Sequence, residues 1–143
     1  MKVFALIIFL TFVSFASDSS DELRVKILEK VIAEVDADKE NLIWSDNKQI
    51  CNSLKERKTL QTTKNCESAT IIILENKNNL KQSCVSKNIF VLSYELLSDV
   101  PKSFGALFWK KGRPNIVIIK PRIQKQSIEI SNNLAPYLED KVW

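Results

Sequence analysis

The sequence predicts an α/β fold: one small domain with a mixed β-sheet, helices packed on that sheet, and an antiparallel hairpin toward the C-terminus. Three observations predict it. Ala69–Leu74 and Ile89–Leu92 are nearly unbroken apolar runs, the pattern of strands buried on both faces beneath helices. Leu23, Ile27, Leu28, Val31 and Val35 recur at helical spacing and make one apolar face. Two β-rich runs, Phe104–Trp109 and Asn115–Ile119, flank a short segment containing Gly112, which reads as a hairpin. A chain of 143 residues suits a single domain able to bury a core.

The elements follow in order. Lys2, the apolar run Val3–Val13 and the small residues of Ser14-Phe15-Ala16 form a secretory signal pattern over 1–16. An uncleaved anchor is the alternative, although the run is shorter than the roughly 20 apolar residues a membrane crossing needs. The domain then covers 17–143, and export places it in the periplasm if the cell has two membranes. Ser19 and Glu22 form a capping box for the first helix. Asp36–Glu40 is a polar break, expected to be a solvated loop. Leu42-Ile43-Trp44 is a short strand, and Ser45 is expected to cap a second helix ending near Arg57. Ile50, Cys51 and Leu54 point inward on that helix. Thr59–Thr63 is β-prone, and Asn76–Gln82 is a polar linker or one helical turn. A short helix over Tyr94–Ser98 ends before Pro101. Pro114 belongs at the start or on the edge of its strand because it cannot donate to a ladder. Gly105 within a strand marks a bulge or a close backbone approach. A turn or short helix follows Lys120-Pro121-Arg122, and a last helix is expected from Ala135 to Lys141. That helix would cover one face of the sheet together with the first.

Composition excludes several chemistries. No histidine is present, so Ser-His and Cys-His catalysis and imidazole-bound metals are out. Only Gly105 and Gly112 occur, too few for a phosphate-cradling loop or a dinucleotide turn. Asp36-x-Asp38-x-Glu40 resembles the start of a calcium loop but lacks its glycine and its final acid. Ser45-Asp46-Asn47-Lys48 overlaps two motifs that penicillin-binding enzymes keep far apart, and helix capping explains its serine more simply. No catalytic residue, metal or cofactor is expected, and the chain reads as a non-enzyme.

Three cysteines in an exported chain leave one over. Cys66 and Cys84 each precede one of the buried strands. If those strands are parallel neighbours, the two residues share one end of the sheet and can pair. Cys51 then remains a thiol on the apolar face of the second helix.

Charge is uneven. Residues 17–75 carry 9 basic and 12 acidic side chains, whereas 76–143 carry 11 basic and 5 acidic. From Pro101 to Ile128 there are seven cations and no acid. The candidate binding patch is Trp109, Lys110, Lys111 and Arg113 at the hairpin tip, with Lys120 and Arg122 toward its other end. Such a patch could hold a phosphate, a carboxylate or an acidic partner surface; a solvated face guarding a sheet edge is the plainer reading. Export disfavours nucleic acid.

The second half of the chain resembles the YfiR-like family of small periplasmic proteins. The matching pieces are Cys66 with Ala69–Leu74, Ile89–Ser93, Gly105–Phe108, Asn115–Ile118 and Ile130–Leu134. The resemblance implies a compact α/β fold without enzymatic activity. It also implies regulation by binding the sensory region of an inner-membrane signalling protein, typically a diguanylate cyclase, with cyclic-di-GMP signalling as output. Redox control through Cys66 and Cys84 fits that role. The alternative is a periplasmic domain that binds a small anionic ligand through the basic, aromatic hairpin.

Overall fold

The computed structural model describes residues 21–143. The signal pattern and the Ser19 half of the capping box lie outside them. Among the described residues, seven strands form one sheet in the order β2-β1-β3-β4-β5-β6-β7. They are β1 (Leu42–Ser45), β2 (Gln61–Thr62), β3 (Ile71–Leu74), β4 (Asn88–Val91), β5 (Ser103–Lys110), β6 (Arg113–Ile119) and β7 (Leu138–Glu139). Every neighbouring pair is parallel except the β5–β6 hairpin. Among the described residues no helix is long and apolar enough to cross a membrane.

The apolar runs make the sheet central because both of their faces are covered. Ile71 and Ile73 pack into one core with Leu28, Ile32, Ile50, Leu54, Phe90 and Ile118. Ile72 and Leu74 pack into a second with Cys66, Cys84, Leu97, Ala106 and Val117. The first core lies under α1 (21–33), α2 (Lys48–Arg57) and α4 (Lys120–Lys125); the second lies under α3 (Leu96–Asp99) and the 3-10 turns Cys66–Ser68 and Gln82–Cys84. Alternation along each strand sends successive side chains to opposite cores.

Gly105 is a close approach and sits at a bulge. The β4–β5 register shifts between Ile89 and Phe90, so Phe104 and Gly105 both face the first core. The Phe104 ring meets the Phe90 ring at 5.6 Å. A Cβ on Gly105 would stand 2.7 Å from the Val117 carbonyl oxygen and 3.0 Å from Phe90 Cε2. The hairpin closes through Lys111 and Gly112, with φ of 54° and 76°, the two left-handed residues of a tight hairpin turn. Pro114 pairs with Trp109 on a stretch of β6 that no further strand covers, since β7 reaches only Ile118 and Ile119.

Four expectations are corrected. The segment expected as a last helix is a 3-10 stretch, Asn132–Tyr137, followed by β7. Leu138 and Glu139 pair with Ile118 and Ile119, so completing the sheet edge outweighs local helix propensity. The C-terminal cover on the face of α1 is therefore this 3-10 stretch, whose Leu134 joins the first core, and not a helix. The cap of α2 is Asn47, whose Oδ1 accepts the Ile50 N–H at 3.1 Å. Ser45 closes β1 and its buried Oγ accepts the Asn47 N–H. Leu23 is 44% exposed, while Val25 and Ile32 join the core, a rotation of the apolar face by a fraction of a turn. Asp36 is buried rather than solvated. Its backbone adopts φ 44°, its N–H donates to the Glu129 carbonyl at 2.7 Å, and its Oδ1 accepts the Glu129 N–H at 2.8 Å. With the Val35–Ile130 bridge, this pins the end of α1 to the segment after α4.

Candidate functional site

Parallel β3 and β4 bring Cys66 and Cys84 to one end of the sheet, with Ile71 opposite Asn88 and Leu74 opposite Val91. The two cysteines form a disulfide with Cα atoms 6.0 Å apart. It lies in the second core, where both residues are buried. Cys51 is free and half-buried. The one grouping of metal-ligand types among the described residues is Cys66, Glu67 and Cys84, and the bond occupies both of its sulfurs.

The cationic residues separate into two sites. Trp109, Lys110, Lys111 and Arg113 stand exposed at the hairpin tip. Lys120 and Arg122 belong to α4, beyond the far end of β6. The eight residues of β5 put roughly 24 Å between these ends, at about 3.4 Å per residue. The six residues therefore do not converge.

The hairpin tip lies beside the carboxyl ends of β4 and β5, the edge at which open α/β sheets commonly hold ligands. A groove of about 580 Å³ opens there. Tyr94 and Phe108 meet edge to face at 5.2 Å on its floor. Trp109 and Trp143 border it, 42% and 78% exposed. The C-terminal segment crosses the groove's rim: Val142 packs on the second core, the Trp143 N–H donates to the Tyr94 hydroxyl at 2.9 Å, and Lys141 Nζ sits 4.0 Å from the Trp143 ring. Glu95 and Glu139 also line it, so the groove itself carries both signs of charge while the tip beyond it is purely cationic. Sequence reading missed Tyr94, Phe108 and Trp143, because only the fold brings residues 94, 108 and 143 together.

Arg122 is committed to the fold on one side. Its Nη1 donates to the Leu97 carbonyl at 2.8 Å, the Ser103 carbonyl at 2.9 Å and Ser103 Oγ at 3.1 Å. Ser103 is fully buried, and burial pushes the Arg122 guanidinium down from its ordinary value, though it stays a cation in any ordinary buffer. It joins the ends of α3 and β5 to α4.

No protein-family model matches the sequence, and no curated protein does. Among solved structures, the fold is similar to a conserved domain protein from Vibrio cholerae O1 biovar El Tor, at a TM-score of 0.59 and 10% identity. The match covers 80% of this chain and 58% of that protein, so the chain spans little more than half of the structure it resembles. At that identity the likeness is one of fold.

Proposed function

We propose that this is an exported, non-enzymatic regulatory protein that binds the sensory region of an inner-membrane signalling protein through its hairpin end, as the YfiR-like resemblance suggests. A diguanylate cyclase is the partner expected from that resemblance. The observation that carries the reading is the surface at the tip. Exposed Trp109 and Arg113, flanked by Lys110 and Lys111 and bordering an aromatic groove, suit a protein contact: aromatic and arginine side chains dominate binding energy at interfaces. Differential affinity for one conformation of the partner would bias its activity. The alternative is a small anion held by the hairpin: a cavity of about 330 Å³ at the tip itself is lined by Lys110, Lys111, Arg113 and Asn115, whereas Glu95 and Glu139 line the neighbouring aromatic groove and would repel an anion there.

Site-specific photo-cross-linking in intact envelopes tests the proposal. A cross-linker at Lys111 is expected to capture a membrane sensor, and one at Lys55, on α2 across the sheet, is not. Trp109→Ala with Arg113→Glu, both exposed positions, should remove that capture while leaving the thermal midpoint unchanged. Equal capture from both positions, or none from Lys111, refutes the reading.

A further inference from the structure

The hairpin outruns the strands on either side of it. Pairing with β4 stops at Ala106, and pairing with β7 is confined to Ile118 and Ile119. From Leu107 onward β5 has only β6 beside it, and the four residues to Lys110 carry the turn roughly 14 Å past the last β4 pair, at about 3.4 Å each. Every residue from Trp109 to Pro114 is exposed, and Lys110, Lys111 and Arg113 are among them. We propose that this tip docks on a lipid bilayer carrying anionic headgroups, with Trp109 in the interfacial layer and the three cations against headgroup phosphates.

Charge, side-chain type and shape each support it. The cations and Asn115 line one small cavity that no acid lines, so the three charges share one concavity. An anionic bilayer attracts each lysine or arginine near its surface by about fivefold in partitioning. Tryptophan favours the membrane interface because its ring is apolar and its N–H stays wet. Trp109 is 42% exposed, so lipid would cover surface that the fold leaves open. Trp143, 78% exposed, borders the same groove as Trp109 and Lys110, which puts a second interfacial side chain at that end. An apolar anchor joined to a basic patch is the pair of signals that holds a peripheral protein on a membrane.

Shape separates lipid from a protein as the surface the tip meets. A two-residue turn is narrow and convex. Alone it cannot bury the roughly 800 Å² per partner of a standard protein interface, whereas a headgroup layer yields around a narrow probe. The inference rests on the proposed function only in placing the protein beside a membrane. It leaves the groove behind the tip, floored by Tyr94 and Phe108, for a membrane-embedded partner.

Co-sedimentation of the exported protein with lipid vesicles tests this. No sensor is present, so its outcome is separate from that of the cross-linking. Loss of residues 1–16 is checked by mass, and all variants share one N-terminus, so comparisons among them do not depend on it. Vesicles of equal phosphatidylglycerol and phosphatidylcholine should bind the protein and shift its tryptophan emission to the blue; pure phosphatidylcholine should bind it far more weakly. Raising salt from about 0.1 M to about 1 M, which shortens the screening length from about 10 Å to about 3 Å, should release it. Lys110→Gln with Arg113→Gln should weaken binding about 25-fold, at about fivefold for each cation. Lys102→Gln with Lys125→Gln removes the same charge from the far end of the hairpin, beyond the screening length, and should change binding by about twofold or less. All four positions are exposed, so thermal midpoints should match the parent's. Trp109→Ala should weaken binding and reduce the blue shift. The proposal is overturned if the anionic vesicles do not bind, if both charge pairs weaken binding equally, or if Trp109→Ala changes nothing. It is also overturned if glycerol phosphate competes more strongly than potassium chloride of equal ionic strength, which would make the tip a small-anion site. Sensor capture from Lys111 without vesicle binding overturns it too, and leaves the protein contact standing.

Discussion

Gly105→Ala adds one methyl group at the most crowded point of the sheet. The new carbon would stand 2.7 Å from the Val117 carbonyl oxygen, 2.9 Å from Ile118 Cδ1 and 3.0 Å from Phe90 Cε2. The first neighbour is backbone of the antiparallel partner strand. The other two belong to core side chains with no exposure. None can move without disturbing the β5–β6 ladder or the Phe90–Phe104 contact. Overfilling a packed core costs about 1–3 kcal/mol. Replacing glycine in an extended segment returns about 0.5–1 kcal/mol of unfolded-chain entropy. The expected net loss is about 1–2 kcal/mol. Urea unfolding of the oxidised protein, followed by circular dichroism, should show a lower midpoint with an unchanged slope. Gly112 is the control. It has nothing within 4 Å of an added Cβ but has φ +76°, so Gly112→Asn, which tolerates that backbone, should cost less. Parental stability in G105A, or a greater loss in G112N than in G105A, would refute the account of the bulge.

Three further outcomes follow. Cys66→Ser with Cys84→Ser opens a bond between residues 18 apart and should lower stability by about 3 kcal/mol; thiol labelling of the unfolded, unreduced parent should find one free thiol, and mass mapping that places Cys51 in the bond would contradict the pairing. Asp36→Ala removes the acceptor for the Glu129 N–H from a buried site and should cost about 1–3 kcal/mol, measured by thermal and urea unfolding, whereas Asp36→Asn should lose less because it keeps a side-chain acceptor. The Arg57 guanidinium bonded to Glu29 holds that carboxyl below the usual glutamate range. Its folded pKa is depressed, so its contribution is present above the unfolded value and fades as pH falls through and below it; Glu29→Gln should flatten the acid limb of a midpoint-against-pH curve, and an unchanged limb would show that the pair contributes nothing.

The fold was legible where local pattern and tertiary environment agree. Ile71–Leu74 and Ile89–Val91 are apolar on both faces because both faces are covered, so the runs alone identify central strands. The pairing of Cys66 with Cys84 followed from those strands being adjacent and parallel. Gly105 was legible for a related reason: a glycine inside a strong strand pattern has few other uses. The C-terminus was not legible. Ala135–Lys141 has helix-forming residues, but the fate of Leu138 and Glu139 is set by the open edge at Ile118 and Ile119, twenty residues away in sequence. Asp36 escapes a local reading in the same way, since what it bonds in its buried position is the backbone of Glu129, 93 positions on. Ser45 lost the cap to Asn47 through a shift of two residues, because β1 extends to include Ser45.

The candidate site shows what a linear charge run leaves out. Seven cations between Pro101 and Ile128 read as one patch only if the chain is compact there. A hairpin is instead the longest straight element a short segment can make, and it carries the cations at its tip and those after β6 to opposite ends. Distance then assigns them different work. At the tip, Lys110, Lys111 and Arg113 keep their water and act as a long-range field beside exposed Trp109, which suits steering and contact with a large partner. At the other end, Arg122 gives up water, bonds to the carbonyls of Leu97 and Ser103, and becomes a fixed tie between elements. Burial, not charge count, separates the two environments. A lysine at position 122 would keep the charge but could not span the same carbonyls. Arginine at that position, rather than the total charge of the segment, is therefore the part of the run on which the fold depends.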